Sequence, residues 1–233
     1  MRRHHMNNPY ISRELFDFFR ELRTHNRREW FIEHKERYEQ QVRRPLQLFI
    51  MDFEQSLRGI STHFRADPRP QGGSLFRIHR DVRFSPDKSP YKTHAGIQFR
   101  HEQGGNVHAP GFYLHLEPGN VFAAVGIWRP DSRALRGIRD AIVADPATWL
   151  QAVSDAQFAA SYRLGGDSLK RPPRDYDPGH PLIEELKRKD FIASAPLSEE
   201  EASAPDFLER YARLSGAAKP FMRFLTRSLD LPW

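Results

Sequence analysis

Gly111-Phe-Tyr-Leu-His-Leu-Glu-Pro-Gly-Asn-Val-Phe-Ala-Ala-Val-Gly-Ile-Trp128 is the stretch whose period decides the fold. Alternate positions are apolar in Gly111–Glu117 and again in Val121–Trp128, and a period of two sends successive side chains to opposite faces of a strand. Pro118-Gly119-Asn120 between them is turn chemistry, so the stretch predicts an antiparallel hairpin. Upstream, Ala95–Arg100 alternates in the same way, and Gly104-Gly105-Asn106 reads as the turn after it.

Leu75–Ser85 supplies a further alternating run. Phe76, Ile78, Val82 and Phe84 share one face with Arg80 between them, and Arg77, His79, Asp81, Arg83 and Ser85 share the other. The expected sheet is a meander of about four strands, near the common size. Asp190–Ala193 reads as an added edge strand.

Helical spacing brackets these strands. Ser12 caps a segment bearing Leu15, Phe16, Phe18, Phe19 and Leu22. Asn26 with Glu29 reads as a capping-box start for a second helix through Trp30, Phe31, His34, Tyr38 and Val42. Pro45 kinks that helix or opens a third one, which carries Leu46, Phe49, Ile50, Phe53 and Leu57 as far as Gly59. Asp131 and Asp145-Pro146 start two more helices, and Pro205–Leu214 and Pro220–Leu229 close the chain. Helices, then strands, then helices make an α+β fold. The N- and C-terminal helices pack on one face of an antiparallel meander. Residues 12–233 are expected as a single domain and residues 1–11 as a disordered basic lead-in, with Met6 as an alternative start.

Composition narrows the function. The 233 residues contain no cysteine, which removes disulfides, thiolate metal sites and cysteine nucleophiles and fits a cytoplasmic protein. No apolar run is long enough to span a membrane, and no apolar segment follows the basic N-terminus as in a secretory signal. The net charge of +6 points towards anionic partners. Arginine outnumbers lysine 29 to 7, a bias that GC-rich codon usage also produces.

Arg80-Asp-Val-Arg-Phe-Ser-Pro-Asp-Lys-Ser-Pro-Tyr-Lys-Thr-His94 concentrates the chemistry. It gathers four cations and two carboxylates on a proline-stiffened loop. Guanidinium forks on a rigid support suit phosphate or carboxylate recognition. Arg77, Arg80, Arg83, Lys88, Tyr91, Lys92, His94 and Tyr113 are therefore the candidate ligand-binding residues. His79 and His115 are candidate general bases, with Asp81 to orient one of them. Tyr113, His115 and Glu117 share a strand face, which His94 and Gln98 can join from the next strand. The bland alternative is the solvated face of a one-sided sheet.

No metal site is expected. His79, Asp81, His94, His115 and Glu117 lack a compact ligand spacing, and the arginines around them repel a bare cation. The absence of a P-loop, a dinucleotide-binding glycine fingerprint and a G-x-S-x-G elbow removes those chemistries, and no cofactor is expected.

Three segments resemble a known family, the domain of unknown function 2461 of bacteria and fungi. They are His25-Asn-Arg-Arg-Glu-Trp-Phe31 with Tyr38, Phe76-Arg-Ile78 running into Arg80–His94, and Arg171-Pro-Pro173 with Tyr176, Asp177, His180 and Pro181. In the last, Asp175 stands where the family usually has glycine, which alters the backbone freedom of that loop. The family is uncharacterised, so the resemblance implies a relationship and no reaction.

Three functions compete at this stage. The first is a domain binding a phosphate-bearing ligand, either a small molecule such as a nucleotide or a nucleic-acid end. The second is a hydrolase or phosphoryl-transfer enzyme using a His/Asp pair on the same face. The third is a structural scaffold or protein-interaction domain in which Arg83 and Asp81 form a buried weld.

Overall fold

The computed structural model describes residues 8–104 and 109–233. The hairpin forms as its period dictates. Gly111–Glu117 (β3) pairs with Asn120–Ile127 (β4) from Gly111 opposite Gly126 to Glu117 opposite Asn120. Ala95–His101 (β2) lies antiparallel on its other side, Ile97 opposite Leu114 and Gln98 opposite Tyr113. Phe64–Arg65 (β1), Arg163–Gly165 (β5) and Phe191–Leu197 (β6) complete a six-stranded antiparallel sheet in the order β1-β2-β3-β4-β6-β5. The Gly104-Gly105-Asn106 turn falls largely outside the described residues.

Two strand expectations change. Phe191–Leu197 is an interior strand rather than an edge, because the three-residue β5 pairs along its outer side. Leu75–Ser85 is not a continuous strand. It touches β2 through Leu75 opposite Ile97, then closes on its own return segment through His79 opposite Tyr91. These two rungs are out of step by two residues, so the ladder breaks between them, although a slip of two keeps the parity of the side chains. Arg77, His79, Asp81 and Arg83 remain the exposed alternate positions, between Ile78, Arg80 and Val82, but they stand on a short ribbon rather than on a face of the sheet.

The helices pack where the apolar stripes point. Arg13–Thr24 (α1) buries Leu15, Phe16, Phe18, Phe19 and Leu22. Arg28–Glu33 (α2) and Lys35–Tyr38 (α3) lead through a π-helical turn, Glu39–Arg43, into Arg44–Ile60 (α4). Asp131 and Asp145 accept hydrogen bonds from Ala134 N and Thr148 N, capping Ser132–Ala144 (α5) and Pro146–Ser154 (α6). Ala156–Ser161 (α7), Ile183–Leu186 (α8) and Glu199–Ser203 (α9) are short, and Phe207–Ala217 (α10) and Lys219–Arg227 (α11) end the chain.

Ile97, Phe99, Phe112, Leu114, Val121, Ala123, Val125, Phe191 and Ala193 are buried with these helices in one core. Phe53 of α4 joins its layers, with ring centroids 4.7 Å from Phe99 of β2 and 4.9 Å from Tyr211 of α10. The expected lead-in divides. Residues 1–7 lie outside the description, whereas Asn8 and Ile11 are buried. The Asn8 amide donates to the carbonyls of Ala202 and Ala204, each at 2.9 Å.

Because Phe53 spans helix, sheet and helix, Phe53→Ala is expected to destabilise the protein by about 3–5 kcal/mol, through lost transfer energy plus a cavity. Urea denaturation reads this directly, and a loss below about 1 kcal/mol would mean that the aromatic layer does not hold the sheet to its helices.

Candidate functional site

Residues 78–92 form a two-rung ribbon with an exposed tip. Arg80 N donates to Pro90 O at 2.9 Å and Lys92 N to Ile78 O at 2.8 Å. So short a ribbon is marginal on its own. Asn26 holds it. Its Nδ2 donates to Tyr91 O at 2.9 Å and its Oδ1 accepts from Tyr91 N at 3.1 Å. The expected helix-capping role of Asn26 is thereby corrected, and Arg27 occupies the cap position of α2 with no side-chain cap bond. Phe31 of α2 stacks on the Tyr91 ring at 4.2 Å.

The tip settles its own charges. Arg83 forms a fork with Asp81, Nε at 2.9 Å and Nη2 at 2.6 Å, and holds that carboxyl down to about 2. Arg80 pairs with Asp87, and Ser89 N donates to the same carboxylate at 2.9 Å. Arg80, with Ser89, pushes the Asp87 carboxyl well below the ordinary range. Lys88 Nζ is tied to Val82 O at 3.0 Å. Arg83 and Lys88 thus serve the tip, and neither lines either of the two cavities described below. The Arg83–Asp81 pair is exposed, and exposed pairs contribute little to stability. Asp81 and Arg83 therefore do not weld the fold.

Inside the tip, a cavity of about 490 Å³ is lined by Arg23, Asn26, Arg80, Asp87, Ser89, Tyr91, Lys92, Thr93 and His94. Arg23 makes no ion pair or hydrogen bond among the described residues. Lys92 donates to Arg77 O at 2.8 Å and lies 5.4 Å over the Phe76 ring. Burial, and then the charge of Arg77, push its ammonium below the ordinary lysine value. Thr93 Oγ1 reaches Glu117 Oε1 at 3.5 Å.

His94 connects this cavity to the sheet. Its ring centroid is 4.5 Å from that of His115, which itself stacks on Phe122 at 4.7 Å. His115 Nε2 is 3.2 Å from Glu117 Oε2, and His115 Nδ1 is 2.9 Å from the Tyr113 hydroxyl. Burial raises the Glu117 carboxyl, but hydrogen bonds from Asn120 and His115 outweigh it and leave a net lowering. An ionised carboxylate only accepts, so His115 carries its proton on Nε2 and its Nδ1 accepts from Tyr113. Both nitrogens of His115 are engaged. Burial also lowers its pKa, which keeps the ring neutral. Desolvation, reinforced by His115, pushes His94 down to about 4. His94 makes no hydrogen bond among the described residues, so its ring nitrogens are available to the cavity.

Gly96 makes this arrangement possible. A Cβ there would lie 2.6 Å from the Tyr113 hydroxyl, so only glycine leaves that hydroxyl its place above β2.

The expected site residues therefore divide into four groups. Arg80, Tyr91, Lys92 and His94 meet at the cavity, and Tyr113 and His115 stand behind His94. Arg77 and His79 line a different cavity across the Phe31–Tyr91 stack. Asp81 and Arg83 pair at the tip, where Lys88 is tied to Val82 O. Among the described residues no hydrogen bond joins His79 to Asp81, and Asp81 is committed to Arg83. Sequence reasoning missed Arg23, which α1 presents from outside the signature. The Arg171–Pro181 loop lines neither cavity. It docks on α5, with Tyr176 donating to Asp140 at 2.7 Å and Asp175 paired to Arg136 at 2.6 Å. Among the described residues no group of three or more His, Asp or Glu side chains is placed to hold a metal ion, and no helix is long and apolar enough to cross a membrane.

Asn26→Ala removes both ties to Tyr91 and is expected to cost about 1–3 kcal/mol, measured by urea denaturation, with faster hydrogen exchange at the Tyr91 amide. An unchanged exchange rate would remove Asn26 as the clamp. Acid stability gives a second check. Unfolded histidine binds its proton near pH 6.5, whereas folded His94 does so only near 4. The unfolded state therefore takes up more protons in that window, and stability falls as pH drops from about 6.5 to about 4. His101 and His115 are lowered by burial too and add to the same slope. His94→Gln should make the decline between about pH 7 and about pH 5 shallower; an unaltered slope would place the titration elsewhere.

Among curated proteins, none matches this chain. The three segments singled out in the sequence all fall within the match of one family, described as conserved hypothetical protein (DUF2461), which covers residues 14–224. The chain belongs to that family.

Proposed function

We propose that this protein binds a phosphate-bearing ligand in the cavity between α1 and the signature ribbon. The observation that carries the reading is the imbalance of charge on its wall. Arg23, Arg80 and Lys92 face it against one carboxylate, Asp87, which already accepts from Arg80 and Ser89. Arg23 and the free protons of Lys92 are left to seek an acceptor, and hydrogen bonds to charged groups are the strong ones. Ser89 and Thr93 add hydroxyls on the same wall. A neutral imidazole at His94 completes it. One domain over residues 12–233, acting in the cytoplasm, fits this reading, supported by the shared core and the absence of cysteine.

His94 also supports a second reading, hydrolysis of a bound phosphoester. It lines the cavity with no hydrogen bond of its own, and so can take a proton from water beside the ligand. His79 and His115 are less suited, the first because it lies across the Phe31–Tyr91 stack and the second because both its nitrogens are engaged. Turnover of a simple phosphomonoester that is lost in His94→Gln while binding persists would favour the enzyme. Binding without turnover would leave a receptor.

Isothermal titration with inorganic phosphate and with sulfate tests binding. Arg23→Gln is expected to weaken it by about 1.5–3 kcal/mol, roughly ten- to hundredfold in Kd. Arg83→Ala, at the tip, should leave it unchanged. Sulfate keeps its charge across the useful pH range, and a bound anion favours the protonated form of His94. Sulfate affinity should therefore rise as pH falls towards about 4, and this rise should vanish in His94→Gln. Affinity that is indifferent to Arg23→Gln would remove the cavity from the reading.

A further inference from the structure

Across the Phe31–Tyr91 stack lies a larger cavity, of about 720 Å³, which the phosphate reading does not use. We propose that it is a second ligand site, shaped for a flat aromatic group that carries an anion, of the nucleoside monophosphate kind.

Its apolar wall is aromatic. Phe31, Tyr38 and Phe76 line it, and the Arg100 guanidinium lies 5.7 Å from the Phe76 ring centre. A heteroaromatic ring placed among such side chains gains by stacking, and an arginine adds to it. Its polar wall is cationic. Lys35, Arg43, Arg77 and Arg100 stand against one carboxylate, Glu39, and Glu39 is already paired to Arg43 at 2.8 Å. Lys35 and Arg77 have neither an ion pair nor a side-chain hydrogen bond among the described residues. The Arg43 Nε is buried without a hydrogen-bond partner, and buried donors are seldom left so in folded proteins.

The backbone points to the same place. Glu39 and Arg43 are the two ends of the π-helical turn that interrupts the helical run between α3 and α4. Such turns are rare and are frequently found at functional sites. On the opposite wall, Gly72 and Gly73 bring main chain rather than side chain to the cavity, and Gly72 holds a φ of +71° that few other residues adopt. Neither cations nor rings alone would select this ligand. Together they favour the joined molecule over its parts.

Adenosine 5′-monophosphate, adenosine and inorganic phosphate are the probes, titrated calorimetrically into the full chain at fixed salt. The titrations are run in an Arg23→Gln background, which weakens the smaller cavity and so separates the two sites. The monophosphate is expected to bind at least about tenfold tighter than either adenosine or phosphate. Adding Lys35→Gln and Arg77→Gln should weaken it a further tenfold or more. Because neither side chain is partnered, the melting temperature without ligand should not move, and any loss is then a loss of binding. Three outcomes would overturn the proposal: a monophosphate no tighter than phosphate, an affinity indifferent to the two added substitutions, or binding abolished by Arg23→Gln alone. The last would assign the nucleotide to the smaller cavity. Failure of the smaller site looks different, since inorganic phosphate would then ignore Arg23→Gln while the monophosphate still responded to Lys35→Gln with Arg77→Gln.

Discussion

Everything distinctive in this protein hangs on one side chain, Asn26, and its two hydrogen bonds to the backbone of Tyr91. An amide offers a donor and an acceptor on one rigid plane, which is what an extended residue presents in return. The partners are 65 positions apart, so closing that loop costs entropy that two net hydrogen bonds of about 1 kcal/mol each barely offset. The stack of Phe31 on Tyr91 and the burial of both rings supply the remainder. With this joint closed, Arg80, Lys92 and His94 face one cavity, and Arg77, Ile78 and His79 face another.

Charge is distributed on the same logic. The signature carries enough cations to repel one another, yet Asp81 and Asp87 are spent within the tip on Arg83 and Arg80. They sit on water-facing loop, where ion pairs contribute little to stability. Their effect is local. Each fixes a loop conformation through a backbone amide two residues on, Arg83 N for Asp81 and Ser89 N for Asp87. Arg23, Lys92 and Arg77 have no carboxylate partner among the described residues, and each lines a cavity.

Where a local rule had no rival, the sequence was legible. The β3–β4 hairpin, the aspartate caps at Asp131 and Asp145 and the five buried positions of α1 follow from period and cap chemistry alone. Alternation also put Tyr113, His115 and Glu117 on one face with His94 beside them. It failed where tertiary partners compete with local ones. Asn26 with Glu29 satisfies a capping rule on paper, but the same amide finds a distant backbone instead. Leu75–Ser85 alternates in exposure, yet its ladder breaks between two rungs, so the residues that alternation grouped stand on a short ribbon and not on the sheet. Three-residue β5, which makes β6 an interior strand, carries too little pattern to read. Arg23 lay beyond reach because nothing in a helix surface marks which arginine will face a cavity.

The pair of histidines shows why grouping on a face is not yet a site. His115 and His94 are ring neighbours, but their hydrogen bonds divide their roles. Tyr113 and Glu117 take both nitrogens of His115, so that ring serves as a fixed, neutral plate. His94 rests against the plate with its nitrogens free, and burial keeps it uncharged at neutral pH. A second imidazolium so close would cost His115 and His94 alike, so at most one of them charges readily. An anion bound as proposed would supply the missing counter-charge to His94 and not to His115, whose counter-charge, Glu117, is already in place. Proton uptake on such binding would therefore fall to the histidine that lines the cavity, and the hydrogen bonds of its neighbour dictate that choice.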